Sequence, residues 1–274
     1  MRLFDTHCHF ETRDADEIAA ILSRAKAAGV EKLMAVGGSP ELNSSAVAAV
    51  ETANGGGAPG GGRGDREESP LPAVLAAVGF DRDQVGKSCA GTVRDGLSAL
   101  LDRPAPLVHF SAVGEIGLDY HYSPGSHKEQ TDLFAAQLEE ARRRNMPVVV
   151  HTREAAEDTI SILREIPSRG IIHCFTGEPS EAKAYLDLGF YVSISGIVTF
   201  KAADNVRRTA LYVPDDRILI ETDSPFLAPV PLRGKANEPA FVRHTCEFLA
   251  GLRGMPAEDF AELTFSNAER ALGS

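Results

Sequence analysis

The chain is short of basic side chains. Its 28 Lys and Arg stand against 39 Asp and Glu, a formal net charge of −11 over 274 residues. That shortage argues against broad, sequence-independent binding to nucleic acid, which draws its affinity from phosphate neutralisation by Lys and Arg. It does not exclude a small site whose positive charge comes from metal ions. Cysteine is scarce as well: Cys8, Cys89, Cys174 and Cys246 are scattered, with no C-x-x-C pair. They read as small buried hydrophobes of a reduced, cytoplasmic protein rather than as a disulfide framework. Cys8 and Cys174 each adjoin a histidine and, by strand alternation, are expected to face away from it. No apolar run approaches the ~20 residues of a membrane span, so no membrane role is expected. Met1 to Asp5 run straight into a strand without a signal peptide.

Apolar residues make up 43% of the chain, which suits a globular protein, and the length suits a (β/α)8 barrel of roughly 250 residues as a single domain, 1–274. Short apolar runs alternate with segments of helical spacing. Strands are expected at Leu3 onward, 33–36, 73–79, 110–115, 147–151, 170–174, 191–195 and 217–222. Asp14-Ala15-Asp16-Glu17 and Ser126-His127-Lys128-Glu129 read as capping boxes that open helices, and Pro179 suits the first turn of another. Two helices, over about 238–252 and 257–272, close the chain. The one low-complexity segment, 54–69, contains Gly-Gly-Gly-Ala-Pro-Gly-Gly-Gly; strand–helix alternation resumes after it, so it reads as a flexible insertion in a surface loop. Eight such strands give a parallel sheet, most simply a closed TIM-type barrel. The runner-up, an open doubly wound sheet, is weakened because no G-x-G-x-x-G follows the first strand.

Barrel active sites are built at the C-terminal ends of the strands. There the sequence puts His7 and His9 on strand one, Glu115 on strand four, His151 on strand five, His173 on strand six and Asp223 on strand eight. His7 and His9 share a face by alternation, with Asp5 below them. Four histidines and two carboxylates at matched strand ends form a ligand set for divalent metals. His109 and His244 precede or sit within elements and read as structural or exposed, whereas His121 and His127 lie in the loop after strand four, near the expected mouth.

Five stretches carry a resemblance: Asp-Thr-His-Cys-His (5–9), Gly-Glu-Ile-Gly-Leu-Asp-Tyr (114–120), Val-Val-Val-His-Thr-Arg-Glu-Ala (148–155), Ile-Ile-His-Cys-Phe-Thr-Gly (171–177) and Glu-Thr-Asp-Ser-Pro-Phe-Leu-Ala-Pro (221–229). With Arg233-Gly234-Lys235, Asn237-Glu238-Pro239 and Ser266-Asn267-Ala268, they resemble the TatD family of metal-dependent hydrolases across nearly the whole chain. The resemblance implies a TIM barrel of the amidohydrolase type with one or two divalent metals and a deoxyribonuclease or related phosphodiesterase activity. It carries the ligand roles onto His7, His9, Glu115, His151, His173 and Asp223. Two positions depart from the family pattern. Its usual Gly-x-His-Pro is here Gly79-Phe80-Asp81-Arg82, and the histidine often found before Arg-Gly is Leu232. Both departures bear on substrate more than on metal; Asp81 beside an anionic substrate would be repulsive unless it holds a metal or pairs with Arg82.

The expected function is therefore an exonuclease-like, metal-dependent hydrolysis of phosphodiesters at DNA ends, with two divalent ions (Mg2+, Mn2+ or Zn2+) lowering the pKa of a bound water. Glu115 is the expected bridge, Asp223 the acceptor of the water's proton, and Arg153 and Arg233 are candidate holders of phosphate oxygens. No protein partner is indicated. An amidohydrolase acting on a small amide or lactone is the alternative, since one barrel hosts many reactions. A purely structural metal is a third reading, and six ligands at a barrel mouth count against it.

Overall fold

The computed structural model describes residues 1–55, 70–86, 90–102, 108–122 and 127–273. Apart from Asn54 and Gly55, the glycine-rich insertion lies outside the described residues, as do Cys89 and Ser126 of the second capping box.

Eight strands are hydrogen-bonded in chain order, all parallel: β1 (Leu3–Cys8), β2 (Val30–Gly38), β3 (Ala73–Phe80), β4 (Phe110–Asp119), β5 (Val148–Arg153), β6 (Gly170–Ile172), β7 (Tyr191–Ile194) and β8 (Ile218–Ile220). The ring is drawn together where its ends meet. Cys8 bridges Ser224, Asp223 N donates to His7 O at 2.9 Å, and His9 N donates to Ser224 O at 2.7 Å. The fully buried Asp5 carboxylate fastens the same seam, accepting from Thr222 N at 2.8 Å and Thr222 Oγ1 at 2.6 Å. This is a (β/α)8 barrel.

Helices α1 (Ala15–Ala27), α2 (Pro40–Gly55), α3 (Ala90–Leu101), α4 (His127–Arg143), α5 (Ala156–Glu165), α6 (Pro179–Asp187), α7 (Asp204–Tyr212) and α8 (Val242–Arg253) follow successive strands, and α9 (Ala257–Leu272) ends the chain. The Asp14 carboxylate caps α1 by accepting from Asp16 N and Glu17 N, satisfying donors that a first turn leaves open. Among the described residues no helix is long and apolar enough to cross a membrane.

Two layers of apolar side chains result from the alternation along each strand. One lies between strands and helices and includes Leu3, Leu33, Val113, Val150 and Phe134. The other fills the barrel with Phe4, Met34, Val36, Val149, Ile171 and Leu219, and α9 packs Phe265, Ala268 and Leu272 against it. Helix α9 sits at the strands' N-terminal ends: Asn267 Nδ2 donates to Asp215 O and Ile218 O, and Lys32 pairs with Glu269. The bottom is thereby stoppered, so the cavity opens at the C-terminal end.

The strands differ in length from the periodicity. β4 runs on past Glu115 to Asp119, pairing Gly117 with His151 and Asp119 with Arg153. Gly117 permits this: at φ 135° a Cβ would stand 2.0 Å from His151 O. β6 and β8 are only three residues each, so His173 and Asp223 lie just beyond them, on loops the barrel holds rather than on strand backbone.

Candidate metal centre

Two irregularities aim the first donors. Between the pairs Asp5/Leu33 and Cys8/Ala35, β1 spends three residues where β2 spends two. Strict alternation is lost at this bulge. Asp5 turns to Thr222 instead of lying beneath the histidines, and His7 and His9 both reach the mouth. Likewise, between Val113/Val148 and Ile116/Val150, β4 spends three residues against two, which projects Glu115 inward.

The six side chains meet as two sets that share Glu115. Its Oε2 lies 3.6 Å from His7 Nε2 and 3.5 Å from His9 Nε2, while Asp223 Oδ1 lies 3.7 Å from both nitrogens. The two nitrogens are 3.1 Å apart. Its Oε1 lies 3.4 Å from His151 Nδ1 and 3.6 Å from His173 Nε2, which are 3.2 Å from each other. Ligands about 2.1 Å from one tetrahedral ion stand about 3.4 Å apart. Both sets therefore have the spacing of donors around a metal, and Glu115 gives one oxygen to each.

The imidazoles are turned by what lies behind them. His9 Nδ1 faces Val36 O at 2.9 Å, leaving Nε2 with the lone pair. His151 Nε2 faces Asp119 Oδ2 at 3.0 Å, leaving Nδ1 for the centre. Asp119 is itself fixed, accepting from His121 N and Tyr122 N at 2.9 Å each. Burial works to raise its pKa, but the His151 bond, the Tyr122 amide and the nearby Arg82 charge hold it down at about 2. His173 Nδ1 stands 3.4 Å from Glu221 Oε1, and the His7 and His173 rings stack at 3.9 Å. Glu221 is wholly buried with both oxygens free of hydrogen bonds; burial opposes its charge, yet His173 and His7 keep its pKa below the usual carboxylate range. Burial pushes Asp223 up to about 7 and His7 down to about 3, so His7 is neutral and ready to ligate.

The centre opens into two adjoining hollows of about 230 and 580 Å³ that share Arg82, His151, His173, Asp223 and Phe226. Arg153 lines the larger one, its guanidinium 4.4 Å over the Tyr122 ring. Arg233 lines neither, being exposed and 4.2 Å over the Phe200 ring. Asp81 borders the smaller hollow, but its carboxylate caps a turn by accepting from Asp83 N at 2.8 Å. Arg82 is the side chain that reaches the centre, with Nη1 2.8 Å from Glu115 Oε1. Neither His121, paired with Glu154 at 2.7 Å, nor His127, stacked on Tyr120 at 3.5 Å, borders the hollows. Cys8 and Cys246 are buried as expected, whereas Cys174, at φ 45°, borders the larger hollow: the strand stops before it, so alternation does not turn it away. Sequence reasoning passed over Arg82, Asp119 and Glu221 as site residues; the last two lie inside the motifs of the resemblance, Glu221 two residues before Asp223 and Asp119 four after Glu115, and that even spacing was the available signal.

A parallel barrel whose mouth gathers four histidines and an aspartate around a shared glutamate has the ligand set of a metal-dependent hydrolase. The chain belongs to the TatD related DNase family, whose model matches residues 4–273. It is 34% identical over 275 residues, 98% of each chain, to the uncharacterized metal-dependent hydrolase YabD of Bacillus subtilis. It is 50% identical over 162 residues to the uncharacterized metal-dependent hydrolase YcfH of Escherichia coli, a match spanning 58% of this chain and 61% of that relative. Among solved structures, YJJV, a TatD homolog from Escherichia coli K12, superposes with a TM-score of 0.84 at 27% identity, covering 100% of this chain and 98% of the other.

Proposed function

We propose that the protein hydrolyses phosphodiester bonds at the ends of DNA or in small phosphodiesters, with two divalent ions held by His7, His9, Glu115 and Asp223 on one side and by Glu115, His151 and His173 on the other. The observation that carries this reading is the division of Glu115, one oxygen to each donor set. The family name points to DNA as the substrate. Imidazole suits Zn2+, whereas Mn2+ and Mg2+ suit the carboxylates. When bound, such ions lower the pKa of a water and neutralise developing charge on phosphoryl oxygens.

The chain's own groups supply the rest. Asp223 borders both hollows, so its carboxylate is in reach of a water there and takes that water's proton. Arg153, over Tyr122 at the rim, is positioned to hold a phosphate oxygen away from the centre. Asp119 and Glu221 keep His151 and His173 turned inward. Two divalent ions would outweigh the two carboxylates touching them, so an anionic phosphate gains more than a neutral amide or lactone.

The test is metal-stripped protein reloaded with Mn2+, Zn2+ or Mg2+ and offered oligonucleotides, simple phosphodiesters, amides and lactones. Oligonucleotide cleavage is expected with metal and none after chelation. In Asp223→Asn, metal content persists on the remaining five ligands and the rate falls about 10²-fold or more; His109→Asn, an exposed site before β4, is the silent control. Faster turnover of amides or lactones without oligonucleotide cleavage would transfer the assignment to an amidohydrolase.

A further inference from the structure

Glu115 does not face its two donor sets equally. Oε2 faces His7 Nε2 and His9 Nε2, and Asp223 Oδ1 stands 3.7 Å from the same two nitrogens. Oε1 meets His151 and His173 at 3.4 and 3.6 Å and also Arg82 Nη1 at 2.8 Å. The first set thus has four donors and, among the described residues, no Lys or Arg paired with them. The second has three, and one of them already carries a charge-assisted hydrogen bond from a guanidinium, among the stronger contacts a carboxylate makes.

Little else fastens Arg82. Its Nε is buried without a hydrogen bond, the nearest carboxylate oxygen there, Asp83 Oδ2, standing 3.7 Å away. Burial works against its charge, but Glu115, Asp81, Asp83 and Asp119 together raise its pKa, so it stays a cation. Both hollows lie beside it and give the side chain room to withdraw.

We propose that Arg82 stands in for the second ion at Glu115 Oε1, so that the two metal sites load in sequence: the His7/His9/Glu115/Asp223 site first and tightly, the Glu115/His151/His173 site only as Arg82 gives up the shared oxygen. The proposal rests on the six-ligand reading above. It makes the protein a one-ion centre at low metal and a two-ion centre at high metal, with charge beside Glu115 kept nearly balanced in the first state by the arginine.

Metal uptake, not turnover, is the measurement. Metal-stripped full-length protein is titrated with Mn2+ or Zn2+ by calorimetry, with bound metal counted after dialysis. The wild type is expected to take two equivalents, the second at least about tenfold more weakly. Arg82→Gln should tighten the second by about tenfold or more, the effect of removing a hydrogen bond to a charged group, and shift the first by less than about threefold. Arg82→Lys, which keeps the charge but not the fork, should fall between them, and circular dichroism reports that each variant is folded. Two equivalents bound alike by the wild type, or a second equivalent unchanged or weakened in Arg82→Gln, overturns the proposal alone. No uptake at all by the wild type overturns the six-ligand reading and this one with it.

Discussion

Asp5 stands two residues from a proposed ligand yet serves the seam of the barrel. Burial raises its pKa from 3.8 to about 8, against the opposing pull of the Thr222 hydroxyl and amide. A carboxyl whose folded pKa is raised contributes stability that is complete below the unfolded pKa and is lost as pH rises through the folded one. For Asp5 that window runs from pH 3.8 to about 8. A shift of this size corresponds to at most about 6 kcal/mol. Asp5→Asn keeps an acceptor for Thr222 N and removes the titration. Denaturant unfolding of metal-free protein should therefore show the variant gaining on the wild type as pH goes from 5 to 8. A difference that stays constant with pH would mean that Asp5 does not titrate there. At this scale the sequence was a partial guide. Donor type and strand-end position brought out Glu115 and the five side chains that meet around it. The same signals misdirected Asp5, because a one-residue bulge at Thr6–His7 leaves no mark in a pattern of alternation. Arg82 went unassigned because its place at Glu115 depends on a turn, capped by Asp81, that composition does not report.

Side-chain amides govern how the elements present these residues. Asn43 of α2 accepts from Gly79 N at 3.1 Å and donates to Gly79 O at 2.9 Å, replacing a missing strand neighbour at the end of β3. Gln137 of α4 does the same for Phe80 N and O, at 2.8 Å each, and Gln130, two turns earlier on that face, for Asp119 N and O at 2.9 and 3.0 Å. One helix thus sets the ends of two strands, β3 leading to Arg82 and β4 ending on Asp119. These amides explain why strand bounds were the least legible part of the fold: pairing continues where a glutamine supplies it, and hydropathy is blind to that. Gln137→Leu retains bulk and leaves both Phe80 groups without partners. At about 1–3 kcal/mol for each buried group left unsatisfied, partly relieved by water since Phe80 is only partly buried, the loss of unfolding free energy should be about 2 kcal/mol. A thermal melt shifted by less than the equivalent of about 0.5 kcal/mol would show that water replaces the amide at no cost.

For the whole molecule, the governing fact is that positive charge is local. The chain carries a net −11, and the cations bordering the hollows are Arg82 and Arg153. The stoppered bottom and closed seam confine substrate to the mouth, and the exposed rings of Tyr122 and Phe226 border the larger hollow there. On the proposed function, a long duplex would lay many phosphates on a chain of net charge −11, whereas a strand end delivers one or two to the centre. Each phosphate neutralised on a single strand contributes about −0.7 to the slope of log affinity against log salt. Contact with about two phosphates therefore predicts a slope near −1.4, against about −10 for a protein that grips duplex broadly. Apparent affinity for single-stranded oligonucleotides, measured as KM across a salt series and a length series, should follow that shallow slope. It should also stop improving after the first few nucleotides. A slope several times steeper, or affinity that keeps rising with duplex length, would mean that a second surface takes part in binding.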